Sequence, residues 1–241
     1  MNKSNLKEFK IFLVSVYYRV ISTKQKKCNI CGGRYFIKGP SGRLAKTGMY
    51  PRCTKCLSLE RHRIHRKISE QIKSNFDLKN KFSVLQFSSD VSFEKSWFLK
   101  FENSIYEGSN HLDIQGIDRS DDTYDLVIIN HVLEHVSEDK KALSELLRII
   151  KKDGFIFLSV PDTTFDDITV DWKYPKKELH GHYRSYGKDF YKIIEASCPG
   201  AFWLRVLDFD DSTISPDEVY LITKSEETLR KLKRGLRISN S

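Results

Sequence analysis

The sequence predicts an α/β protein: a doubly wound, mostly parallel sheet of the seven-stranded type, with a small metal-binding module ahead of it. Three observations carry this. "FSVLQF" (82–87), "YDLVIIN" (124–130) and "FIFLSVP" (155–161) are near-continuous apolar runs of the kind buried on both faces of a parallel sheet. Between the last two, Ala142, Leu143, Leu146, Leu147 and Ile150 recur at helical spacing, so strand and helix alternate. Two Cys-x2-Cys pairs stand upstream of that alternation.

A chain of 241 residues has room for one such domain and a small module. Its 39% hydrophobic and 12% aromatic content is that of a globular protein. No run of 18 apolar residues predicts a spanning helix. The net charge of +9 suits a nucleic acid, an anionic membrane surface or plain solubility, and alone separates none of them.

The elements divide the chain into 1–25, 26–58, 59–81, 82–224 and a basic tail, 225–241. In the first, Leu6, Phe9, Leu13, Val16, Tyr17 and Val20 share one helical face, with lysines and Arg19 towards the ends. Such a helix packs on the main domain or lies as an amphipathic anchor on acidic lipid through residues 6–21. No small-residue cleavage site follows it, so a cytoplasmic location is expected, with peripheral contact at the inner face of the membrane as the alternative.

Cys28, Cys31, Cys53 and Cys56 form two knuckles, each offering two thiolates from a tight turn. Together they supply the tetrahedral four-sulfur shell zinc prefers, with no open position, which makes the expected site structural. Two disulfides are the competing account, disfavoured in a reducing compartment. In "SLERHRIHRKISEQI" Ser58 is a candidate cap, and Leu57, Ile64, Ile68 and Ile72 mark an apolar face. Arg61, Arg63, Arg66 and Lys67 are expected on a solvated basic face.

Within 82–224, "SFEKSWFLKF" is expected as a helix, "SIYE" and "HLDI" as short strands, and Ser137 as the cap of the helix after "YDLVIIN". His131-Val132-Leu133-Glu134-His135 matches the zinc-protease string H-x-x-E-H. That chemistry needs both histidines on one helix. Here the string falls between a strand and the next helix, at the carboxyl edge of the sheet where open α/β folds bind ligands.

Residues 124–161, with their Asp-led apolar strand, "HVLEH", helix, Lys-Asp-Gly and strand ending in Pro, resemble class I S-adenosylmethionine-dependent methyltransferases with a type 11-like domain. "CTKCLSLERHR" and "HYRSYGKDF" are similar to a subgroup that joins a zinc ribbon to this Rossmann-like fold. The resemblance implies S-adenosylmethionine as cofactor and in-line methyl transfer. The family's first strand ends in Gly-x-Gly; this chain has Gln86-Phe87-Ser88-Ser89-Asp90. Either Ser88 and Ser89 replace the glycines, with Asp90 accepting from the cofactor's ammonium, or the loop is dead and the protein is a scaffold. The resemblance further implies Glu107 on the ribose, Asp113 and Ile114 on adenine, and Asn130 and His131 closing the pocket. His182 is the first candidate for general base and His131 the second, since imidazole titrates near neutrality; a structural contact competes for each. Arg184 and Tyr186 bind the acceptor or fix their loop. No Asn-Pro-Pro-Tyr follows the fourth strand, which favours an oxygen acceptor, a sugar or glycan, over an exocyclic amine. A zinc-ribbon RNA methyltransferase and a non-catalytic interaction protein are the other two readings.

Overall fold

The computed structural model describes residues 23–161 and 163–236; the amphipathic segment 1–22 lies outside them. The chain divides into two compact units, residues 23–67 with 209–217, and residues 68–208 with 218–236. No described helix is long and apolar enough to cross a membrane.

The first unit is a small antiparallel sheet of β1 (Thr23–Lys24), β2 (Tyr35–Ile37) and β3 (Arg52–Cys53), followed by the first turns of α1 (Glu60–Asn75). Phe36 is buried against Cys28 and Cys53, and the Arg63 guanidinium lies 5.0 Å over its ring. The solvated basic face expected of α1 is not what forms. Arg63, His65 and Arg66 are all buried. Arg63 donates through Nε and Nη2 to both carboxylate oxygens of Asp210, at 2.8 and 2.7 Å, and through Nη1 to the carbonyls of Pro51 and Ser58. His65 Nε2 stands 3.1 Å from Asp217 Oδ2. A buried guanidinium is tolerated only with such bidentate, fully bonded pairing. Arg63 and His65 hold residues 209–217 in place, which removes these two as support for nucleic-acid binding.

The second unit carries the short helix α2 (Leu78–Lys81) and the six-stranded sheet. β4 (Ser83–Phe87), β5 (Lys100–Ser104), β6 (Tyr124–Asn130), β7 (Ile150–Ser159), β10 (Phe202–Phe209) and β11 (Pro216–Thr223) lie in the order β10-β11-β7-β6-β4-β5. β5, β4, β6 and β7 are parallel, and β11 runs antiparallel to β7. Both faces are buried, as the apolar runs require. One packs Leu85, Val127, Ile129, Ile156 and Leu158 against α3 (Asp139–Ile149) and α4 (Phe190–Ser197). The other places Phe155 and Phe157 against Phe76, Phe82 and Phe93. Gly154 is required where β7 bulges beside Tyr124: a Cβ there would stand 2.9 Å from the carbonyl oxygens of Tyr124 and Asp125.

The doubly wound, mostly parallel sheet is the expected class, but the described residues give six strands. "HLDI" forms a turn, because Asp113 accepts from the backbone N–H of Gln115 and Gly116 closes on the Asp113 carbonyl. "SFEKSWFLKF" holds only a short 3-10 turn, Lys95–Trp97, before β5. Ser58 and Ser137 are not caps: Ser58 Oγ turns to the cysteine sulfurs and Ser137 Oγ donates to Gln115. Residues 226–235 of the expected tail form α5 (Glu226–Gly235), capped by Ser225 and burying Leu229 and Leu232. A hairpin of β8 (Val170–Lys176) and β9 (His182–Ser185) is inserted between β7 and α4.

Candidate active site

Because β4, β5 and β6 are parallel, the loops leaving them converge on one edge of the sheet. A cavity of about 830 Å³ opens there, a volume suited to a cofactor. Ser88 and Ser89 border it after β4, Tyr106 and Asp113 after β5, and His131 and His135 after β6.

The loop after β4 takes the glycine-like course without glycine. Ser88 has φ 67°, in the left-handed region that costs an L-residue about 1–2 kcal/mol. Its N–H donates to the Ser104 carbonyl, and Gln86 Nε2 donates to its carbonyl at 2.9 Å. Asp90 works from behind: its carboxylate accepts from Ser92 N–H at 2.6 Å and from Asn130 Nδ2 at 2.8 Å, and Asn130 accepts from Ser159 Oγ. Three strand ends are thereby tied together beneath the cavity.

Of the candidate cofactor residues, Ser88, Ser89, Asp113, Ile114 and His131 line the cavity. Gln86, Asp90, Asn130 and Glu107 do not. The first three support the loops, and Glu107 sits at φ 61° in an exposed turn that directs Tyr106 and His111 to the rim. Those two rings meet edge to face at 5.4 Å. Tyr106, His111, Gln115 and Tyr183 are lining residues that sequence reasoning missed; an aromatic one or two residues past a strand end was the available signal.

Arg184 and Tyr186 are structural. Arg184 is buried, donating to the carbonyls of Val136 and Ser137 at 2.7 and 2.8 Å, with Nε 3.4 Å from Asp139 Oδ2. Tyr186 Oη donates to the same Asp139 oxygen. They clamp the turn that carries His131, Glu134 and His135. His131 itself stands at φ 54°, its N–H held by the Ser159 carbonyl.

Around that turn gather four of the chain's seven histidines. The buried Glu134 places Oε1 3.6 Å from His131 Nδ1 and 3.9 Å from His135 Nε2. The His135 and His182 rings meet edge to face at 4.6 Å, and His180 lies 6.4 Å from His182. Burial, then His135 and His180, push His182 down to about 4; burial and His180 lower His135 as well. Both shifts favour the uncharged imidazole. His182 lines not the first cavity but a second of about 730 Å³, whose walls include Phe165, Asp166, Ile168, Trp172 and His180.

Residues 60–196 match the family model described as a methyltransferase domain. The chain belongs to that family. It is a class I S-adenosylmethionine-dependent methyltransferase. Among solved structures it is similar to the N-methyltransferase NodS from Bradyrhizobium japonicum in complex with S-adenosyl-L-homocysteine, at 9% identity, 66% coverage of this chain, 84% of that one and a TM-score of 0.42. It is also similar to the CurJ carbon methyltransferase, at 13% identity, 67% and 54% coverage and a TM-score of 0.45. No match was found among curated proteins.

The first unit of this methyltransferase carries the four cysteines, and their sulfurs converge. Cys28 and Cys56 are 3.8 Å apart and Cys31 and Cys53 3.5 Å, far beyond a disulfide bond and near the ~3.8 Å edge of a tetrahedron with 2.3 Å metal–sulfur bonds. Gly32 turns the first knuckle at φ 77° and Leu57 ends the second at φ 61°. Gly33 N–H points at Cys31 Sγ, 3.4 Å away. Bonds from Cys53 and Ser58 outweigh burial and push the Cys28 thiol down to about 4. The donor set fits one closed metal shell.

Proposed function

We propose that the methyltransferase holds S-adenosylmethionine in the 830 Å³ cavity and methylates a hydroxyl of a sugar-like acceptor in the adjoining 730 Å³ cavity. The observation carrying the reading is Ser88: a serine held at φ 67° gives the loop the backbone course for which the family uses glycine, so the missing glycines do not close the pocket.

The bound cofactor supplies an electrophilic methyl on a sulfonium. The chain's part is placement. Asp113 offers a carboxylate to the adenine amino group, Ile114 packs under the ring, and Ser88 and Ser89 present backbone and hydroxyls to the methionine end. His131 walls the reacting end from β6. His135 lines the first cavity and His182 the second, so this ring pair stands where cofactor and acceptor meet. His182 accepts the hydrogen bond of the acceptor hydroxyl and orients its oxygen. Phe165 and Trp172 offer faces for a sugar ring, and Asp166 and Asp167 take its hydroxyls. The four cysteines hold zinc, whose closed shell leaves it a structural role.

Calorimetric titration of the zinc-loaded protein with S-adenosylhomocysteine tests the enzyme reading. Micromolar binding is expected, and no heat at millimolar ligand with the fold intact overturns it. Chelation should remove one zinc and expose residues 28–58 to protease; a metal-free protein with unchanged protection ends the zinc assignment.

A further inference from the structure

We propose that Glu134, His135 and His182 form a second metal site, for a divalent transition ion such as manganese or cobalt, on the wall between the two cavities. One carboxylate oxygen of Glu134 and one ring nitrogen from each histidine lie within 4.8 Å of one another. In a bound shell with 2.0–2.2 Å bonds, neighbouring donors stand roughly 3.0–3.5 Å apart. Closing the triangle therefore draws each donor inward by about 1 Å.

Two imidazoles and one carboxylate are the donor set of facial sites that leave positions open for substrate oxygens. The cysteine cluster is the reverse, four sulfurs and no open position. The scaffold of the second set is rigid in the way metal ligands require. Glu134 is almost wholly buried, and Arg184 and Tyr186 fix the turn that carries it through the carbonyls of Val136 and Ser137 and the carboxylate of Asp139. His182 approaches from β9, so ligands come from two separate elements. His131 Nδ1 stands 3.6 Å from Glu134 Oε1, a third imidazole beside the same carboxylate.

This inference rests on the reading of the neighbouring cavities as cofactor and acceptor sites, and it names what would activate the acceptor. A hydroxyl bound to the ion loses its proton to bulk water far more readily than a free one. The resulting alkoxide uses a lone pair to form the O–CH3 bond, while the C–S bond breaks and its electron pair stays on sulfur. His182 is then a metal ligand, in place of the hydrogen-bond acceptor that the metal-free cluster would make it. Vicinal hydroxyls, as on a sugar, would fill two open positions together.

Cobalt titration of the zinc-loaded protein distinguishes the two sites by colour. Cobalt in a four-thiolate shell gives intense sulfur charge transfer, whereas a nitrogen–oxygen site gives only weak visible bands. One equivalent of the weak-band species is expected in the wild-type protein. In His182→Ala its affinity should fall roughly tenfold or more, the least a lost ligand costs when outer-shell changes already cost that much. Glu134→Gln should act alike, and His182→Ala, on a partly exposed strand, serves if Glu134→Gln does not fold. Absence of a second equivalent at millimolar cobalt, or one unchanged in both variants, overturns the site. S-adenosylhomocysteine titration separates the two failures: cofactor binding without the metal sinks this inference alone, and metal binding without cofactor sinks the methyltransferase reading of the cavity.

Discussion

The two edges of the six-stranded sheet are built differently. At the amino edge, charges close on one another and on the backbone. Asp125 accepts from Ser83 N–H and Lys151 Nζ, both at 2.8 Å. Lys224 Nζ reaches Asp122 and the carbonyls of Arg148 and Ile150. Arg148 spans Glu145, Asp121 and the carbonyls of Ile117 and Arg119. At the carboxyl edge Ser88 and His131 hold left-handed angles, as Asp122 does at the amino edge, but only the carboxyl-edge loops border the cavity. Strain of that kind persists only where surrounding structure over-determines it. One edge thus holds the fold so that the other can be shaped for a ligand.

The largest effect should come from Arg184, a buried ion pair at the edge otherwise given to function. Arg184→Ala takes one partner from the buried Asp139 carboxylate, which keeps the Tyr186 hydroxyl, and removes the donor shared by the carbonyls of Val136 and Ser137. Breaking such a pair costs about 3–5 kcal/mol. A urea midpoint close to wild type would show that the carboxyl edge needs no rigid clamp. Gly154→Ala should come next. Its Cβ would meet strand carbonyls at 2.9 Å, and overpacking of that kind costs about 1–3 kcal/mol. Cofactor affinity should not move, because Gly154 belongs to the amino edge; a matching loss of S-adenosylhomocysteine binding would dissolve the distinction between the edges.

Two carboxyl-edge changes should show the opposite pattern. Asp113 is exposed and, among the described residues, bonds within its own turn, so Asp113→Ala should leave stability nearly intact. A lost hydrogen bond from a charged acceptor is worth about 1.5–3 kcal/mol, so S-adenosylhomocysteine should bind tenfold weaker or worse. Equal affinity in calorimetry would remove Asp113 from the site. Ser88→Gly should raise stability by up to about 1 kcal/mol, the left-handed cost less the entropy of glycine. A lower urea midpoint would mean that the serine is held there by more than its backbone.

What the sequence revealed follows the same division. The amino-to-carboxyl course of β4, β6 and β7 was legible, because apolar runs buried on both faces need no partner to be recognised. The cysteine cluster was legible because two short spacings encode it completely. The cavity was only half legible. Asp113 and Ile114 could be carried over by motif, but Tyr106, His111 and Tyr183 reach the cavity through turns and a hairpin insertion that periodicity does not describe. The buried Arg63 and Arg184 were hidden for another reason. Their partners, Asp210 and Asp139, lie 147 and 45 residues away, and nothing local marks an arginine as paired. "HVLEH" was correctly placed in a strand-to-helix turn. That His182 comes to face His135 depended on the β8–β9 hairpin, which only the structure supplies.

The smallest effect should separate the edges by pH. Glu145 accepts from Arg148 at 2.8 Å and from Ile117 N–H at 2.9 Å. The Arg148 bonds lower its carboxyl below the ordinary value of 4.5, against a smaller opposing effect of burial, with Ile117 lowering it further. A carboxylate with a lowered folded pKa contributes stability that is complete above the unfolded value and is lost as pH falls through the folded one. The pair is partly solvated, so its worth is at most about 1 kcal/mol. Wild type and Glu145→Gln should therefore differ in urea midpoint at pH 7 and converge as pH drops below about 4.5. High salt should shrink the difference as well, since screening acts on exposed pairs. A gap that does not narrow as pH falls below about 4.5 would show that Glu145 stabilises by packing, and the amino edge would then owe its strength to its apolar contacts more than to its charges.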